Sequence, residues 1–201
     1  MKIQYLILLL VSITFAAQAA DSESPFTLPM ASSTEGSIYD LASNWYPQDG
    51  HAVNLEALKG KVRVVAMGYT SCQYACPRII ADLKRVETAL SDKEKSSGKI
   101  SFSFISIDPE TDTPELMKEL EKNYGMDPEL WLLLTGDEDG VLELAVALGM
   151  KYRKTSPMDF AHSNIITILA PDGTIFYQTY SIGEEIDQTL KAVRTCLSSM
   201  K

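Results

Sequence analysis

Cys72-Gln73-Tyr74-Ala75-Cys76-Pro77 is the stretch of this chain whose residue types and spacing most clearly carry chemistry. Ahead of it runs a short apolar segment, 62–69, of the kind that forms a strand buried on both faces. After it, Ile79, Ile80, Leu83, Val86 and Leu90 recur at helical spacing, and Pro77 suits the first turn of a helix. The two cysteines therefore stand where a strand becomes a helix. Four residues apart at a helix start, their sulfurs share one face of the first turn, where backbone N–H groups and the helix dipole favour thiolate over thiol. Such a pair can bind a soft metal or form a disulfide, and spacing alone does not choose. Dithiol oxidoreductases of the thioredoxin kind have two residues between their cysteines, whereas this pair has three.

Histidine is scarce. His51 follows the turn signal Asp49-Gly50 and reads as a surface residue with no role. His162, in Asp159-Phe160-Ala161-His162-Ser163, is expected at a loop end just before an apolar strand over 163–169, facing the cysteine turn. Two thiolates and one imidazole make a three-ligand set suited to copper in either oxidation state. Zinc generally takes four ligands, and the third cysteine, Cys196, lies near the end of a last amphipathic helix with no evident route to the site. Copper is favoured, and Cys196 is expected to pack and to be dispensable.

The elements that must position these residues follow from periodicity. Strands are expected over 37–41, 52–55, 62–69, 100–107, 130–134, 163–169 and 174–180, with helices from 77, from 114, over 140–148 and over 184–197. Thr113 is placed to cap the second of these helices, with Pro114 at its first position. Strands alternating with helices, ending in a hairpin and a helix, predict an α/β thioredoxin-like fold with an N-terminal β-hairpin extension.

The flanking sequence speaks of export. Lys2, an apolar run to Phe15 and the small residues around Ala17 and Ala19 read as a signal peptide over 1–19, cleaved after Ala19. The run is too short to cross a bilayer, and the first arginine is Arg63, which argues against a mitochondrial presequence. Residues 20–37 read as a flexible tether and 38–201 as one domain. Losing Lys2 takes the net charge from −9 to −10, an acidic balance that repels phosphate backbones and excludes nucleic acid as a partner.

Taken together, Gly68-Tyr69-Thr70-Ser71-Cys72-x-x-x-Cys76-Pro77, Ser106-Ile107-Asp108-Pro109-Glu110-Thr111-Asp112-Thr113-Pro114-Glu115, Leu134-Thr135-Gly136 and His162-Ser163 resemble the Sco/SenC family from about residue 38 to the end. The resemblance implies a thioredoxin-like fold and the copper ligands Cys72, Cys76 and His162. It also implies delivery of copper to the dinuclear copper centre of cytochrome c oxidase or a related respiratory reductase, here by a freely diffusing periplasmic protein. Asp108 and Asp112 match the family's acidic loop, where they tune the site, contact a partner or simply shape the turn. The alternative function is a thiol-disulfide oxidoreductase in which Cys72 and Cys76 are the redox-active pair, reducing the cysteines of a target copper site. That reading does not need His162 as a ligand.

Overall fold

The computed structural model describes residues 36–180, 183 and 186–200. The expected signal peptide and the tether up to residue 35 lie outside the described residues. Among those described, no helix is long and apolar enough to cross a membrane.

The frame is a seven-stranded mixed sheet. Its strands are β1 (Asn44–Pro47), β2 (Val53–Asn54), β3 (Val62–Gly68), β4 (Ile100–Ser106), β5 (Trp131–Gly136), β8 (Ile166–Leu169) and β9 (Ile175–Thr179), and a separate two-stranded sheet pairs β6 (Tyr152–Ser156) with β7 (Asp159–His162). In the main sheet the order is β2-β1-β5-β4-β3-β8-β9. The three inner strands β3, β4 and β5 run parallel, while β1 and β8 join their two flanks antiparallel. This is the thioredoxin-like arrangement expected, extended at one edge by a β-ribbon.

Every residue of β3 and β4 is buried. The Ser-Phe-Ser-Phe alternation of β4 therefore does not mark a wet face. Phe102 and Phe104 fill the core on one side, with Phe102 stacked on Trp131 at 5.1 Å. The serines find polar partners instead: Arg63 donates to Ser101 and Ser103, and Ser106 donates to Asp112. Burying hydroxyls is tolerable only on those terms.

The described residues also form five α-helices: α1 (Ala75–Ala89), α2 (Asp92–Lys95), α3 (Pro114–Asn123), α4 (Glu138–Ala147) and α5 (Asp187–Ser199). α1 and α5 pack together on β3, and α3 packs against β5 and β1. α3 starts as expected, with Thr113 accepting from the Leu116 N–H.

Two expectations need correction. Residues 37–41 do not form a strand: Ile38–Asp40 is a 3-10 turn, because Ser37 Oγ accepts the Tyr39 N–H and offers the backbone a local alternative to a ladder. The strand partnering Val53–Asn54 is Asn44–Pro47, joined through a turn at Gly50, whose φ of 82° suits glycine. Secondly, the strand expected over 163–169 begins only at Ile166, and His162 is not in a loop but at the end of β7. The β6–β7 hairpin is largely polar and exposed, so it lacks the apolar periodicity by which a strand is recognised.

Candidate metal centre

β3 delivers the chain to the cysteines, and its last residue is held to glycine. A Cβ on Gly68 would stand 2.7 Å from the Cys76 sulfur and 2.8 Å from the Phe104 ring. From there the chain turns into α1, whose N-terminus has no conventional side-chain cap. The Cys72 sulfur occupies that place, accepting the Cys76 N–H at 3.4 Å.

The two thiols are consequently unequal. Partial burial pushes the Cys72 thiol up. The N–H groups of Cys76, Tyr74 and Ala75, with a hydrogen bond from the Cys76 thiol, outweigh that and hold it below the ordinary cysteine range. Cys76 is 2% exposed, and burial drives its thiol far upward, with the negative charges of Cys72 and Asp112 adding to the effect against one N–H from Tyr69.

His162 reaches this pair from β7. Ser163 closes the base of the hairpin, its N–H donating to the Lys151 carbonyl at 2.8 Å and its Oγ accepting the Lys151 N–H at 2.8 Å. The His162 Nδ1 lies 3.2 Å from the Ser163 carbonyl. With the proton on Nδ1, that bond fixes the tautomer that leaves the Nε2 lone pair free. One ligand atom each from Cys72, Cys76 and His162 lie within 4.8 Å of one another. Two sulfurs and a nitrogen so close together suit a single soft or borderline ion, and copper fits this donor set.

Other residues singled out from sequence sort themselves here. His51 is 87% exposed and pairs with its neighbour Asp49, away from the cysteines. Cys196 is fully buried in α5, and burial raises its thiol to about 11. Asp112, 1% exposed, accepts from the Thr70 N–H, the Thr70 hydroxyl and Ser106, so it braces the cysteine loop. Burial pushes its carboxyl upward against those bonds. Asp108 is 2% exposed and its carbonyl accepts the N–H groups of Thr111 and Asp112. Both aspartates are too deeply buried to present a surface to a partner; they shape the turn and the loop.

Tyr69 carries no functional signal in its residue type alone. Its ring sits 5.1 Å from Phe160 and edge-on to His162 at 5.8 Å, and its hydroxyl accepts the Phe160 N–H at 3.3 Å. Burial above all pushes the pKa of its phenol up, the Phe160 bond opposes this, and a hydrogen bond to Cys72 adds to the rise. Its place three residues before Cys72, within the Gly68-Tyr69-Thr70-Ser71-Cys72 motif, is the signal in the sequence that points to it.

The SCO1/SenC family model matches residues 32–198. This chain belongs to the SCO1/SenC family. Among relatives, it is 30% identical over 131 residues to an SCO1 protein homolog of Bacillus subtilis, covering 64% of this chain and 66% of that one. It is also 30% identical over 112 residues to an SCO2-like protein of Rickettsia typhi, covering 56% and 52%. The chain thus spans between about half and two thirds of the length of these relatives. Among solved structures, ScoI of Arabidopsis thaliana with copper bound superposes with a TM-score of 0.65 at 25% identity, covering 76% of this chain and 96% of that one. ScoI of Bradyrhizobium japonicum with copper bound gives 0.60 at 25% identity, covering 79% and 97%.

Proposed function

We propose that this SCO1/SenC protein binds one copper ion through Cys72, Cys76 and His162 and delivers it to the dinuclear copper centre of a cytochrome c oxidase or related respiratory reductase. The observation that carries the reading is the convergence of the three ligand atoms within 4.8 Å from two elements that are remote in sequence. The copper-bound ScoI relatives support it. An ion held by three side chains at the partly exposed mouth of a helix suits cargo, because an incoming thiolate or imidazole can displace the ligands one at a time. Export to the periplasm with loss of residues 1–19 belongs to the same proposal and rests on the sequence alone; intact-mass measurement of the secreted chain tests it.

Thiol-disulfide exchange is the second reading, favoured by the inequality of the thiols: a thiolate-prone, partly exposed Cys72 attacks, and a buried Cys76 resolves. One experiment separates the two. Reduced wild-type protein and His162→Ala are titrated with Cu(II) and Cu(I) while thiolate-to-copper absorption is followed. If His162 is a ligand, Cu(II) binding collapses while Cu(I), still served by two thiolates, weakens less. Exchange activity largely survives, since it needs neither copper nor the imidazole. A mutant that binds Cu(II) with wild-type affinity and spectrum moves the oxidoreductase reading ahead. Delivery is tested by mixing copper-loaded protein with the metal-free oxidase subunit and watching the acceptor's own copper spectrum develop.

A further inference from the structure

The hairpin that carries His162 is not part of the main sheet: among the described residues β6 and β7 pair only with each other. Something other than strand pairing must hold the imidazole against the two sulfurs. Two hydrogen bonds join the segment just ahead of Cys72 to this hairpin. The Phe160 N–H donates to the Tyr69 hydroxyl at 3.3 Å, and the Ser71 hydroxyl donates to the Met158 carbonyl at 3.3 Å. Both start within three residues of Cys72 and end within four of His162. The Tyr69 ring fills the space between, packed on Phe160 and edge-on to His162. A further polar tie runs from the hairpin to the acidic loop, Lys154 to Glu110; it is largely exposed, as is the Ser71–Met158 bond, so the part-buried Phe160–Tyr69 bond is the inner of the ties.

We propose that Tyr69 and Ser71 are positioning residues for His162, clamping the β6–β7 hairpin onto the cysteine loop and so setting the distance from the imidazole to the two sulfurs. Tyr69 is 4% exposed, so its hydroxyl has no ready exchange with bulk water, and a phenylalanine there keeps the ring packing while leaving the Phe160 N–H without its partner. Through the hairpin the clamp acts on the nitrogen ligand; of its two members Tyr69 also hydrogen-bonds a sulfur, that of Cys72, whereas Ser71 is tied to the Met158 carbonyl. Loss of the clamp therefore falls on Cu(II), which needs a nitrogen donor, more than on Cu(I), for which two thiolates suffice. This inference rests on the ligand assignment proposed above.

The test uses the full chain with Tyr69→Phe and Ser71→Ala, each alone and combined with His162→Ala, thermal melting confirming the fold. In the metal-free protein, amide exchange at Phe160 becomes about threefold or more faster in Tyr69→Phe, the worth of one hydrogen bond. Cu(II) affinity falls about three- to tenfold in either single variant and the thiolate-to-copper band shifts, while Cu(I) affinity stays within about twofold in Ser71→Ala, which leaves the Tyr69–Cys72 bond in place. In the His162→Ala background an added Ser71→Ala changes nothing beyond about twofold, because the ligand on which its tie acts is gone. An equal loss in that background, or unchanged Cu(II) affinity with unchanged Phe160 exchange, overturns the clamp. If Tyr69→Phe does not fold, Ser71→Ala decides by the same Cu(II) readouts. His162→Ala also distinguishes the two ways to fail: if it binds Cu(II) as wild type does, the ligand assignment falls and the clamp with it. If it loses Cu(II) while Tyr69→Phe and Ser71→Ala keep it, the clamp alone falls.

Discussion

The backbone N–H of Cys76 points at the sulfur of Cys72, 3.4 Å away, so one cysteine of the pair caps the helix that contains the other. The cap makes Cys72 the acidic thiol, and the helix buries Cys76 as the basic one.

Alkylation should follow that order. In the reduced, metal-free protein at pH 7, iodoacetamide should modify Cys72 first, with Cys76 and Cys196 more than about tenfold slower, as low thiolate fraction and burial both oppose them. Peptide mapping after brief exposure reads this directly. Equal rates at Cys72 and Cys76 would mean that the helix terminus does not favour the Cys72 thiolate.

Cys196 lies fully buried in α5 and outside the ligand cluster. Cys196→Ala should keep wild-type copper stoichiometry and spectrum, at a cost on the order of 1 kcal/mol in stability. A folded variant that loses copper would sink the three-ligand site.

Gly68→Ala should be far more damaging than its size suggests. The added methyl meets both the Cys76 sulfur and the Phe104 ring below 3 Å, and overpacking of this kind costs about 1–3 kcal/mol. Relieving the clash moves a ligand, so copper affinity should fall together with the denaturation midpoint. Wild-type values for both would show that the close approach of β3 to Cys76 is unimportant.

Acid should remove one tertiary tie in a defined window. Arg194 on α5 holds the Glu94 carboxyl down to about 2 from 4.5, helped by the Ser91 N–H and hydroxyl. The folded value lies below the unfolded one, so the stabilisation is complete above pH 4.5 and is lost as pH falls toward about 2. Glu94→Gln should cost about 1 kcal/mol or less at pH 7, since Arg194 is exposed and Glu94 only half-buried, and the difference from wild type should shrink across that window. A gap that stays constant from pH 7 to pH 2 would contradict the assignment.

Locally encoded features of this protein were legible without coordinates. The strand-to-helix junction around Cys72 and Cys76, the Thr113-Pro114 helix start and the inner strands each follow from a few neighbouring residues: an apolar run, a cap, a period. At Ile38–Asp40 a competing local bond from Ser37 prevailed over apolar content that suggested a strand. The β6–β7 hairpin leaves no periodic signal in the sequence, because it buries little of its own and depends for its place on residues 69–71, about ninety positions earlier. His162 could be named as a ligand candidate from chemistry and resemblance. Its approach to within 4.8 Å of two sulfurs, the inequality of those thiols and the role of Tyr69 are products of tertiary structure, because burial, close contact and long-range hydrogen bonds exist only once the chain has closed on itself.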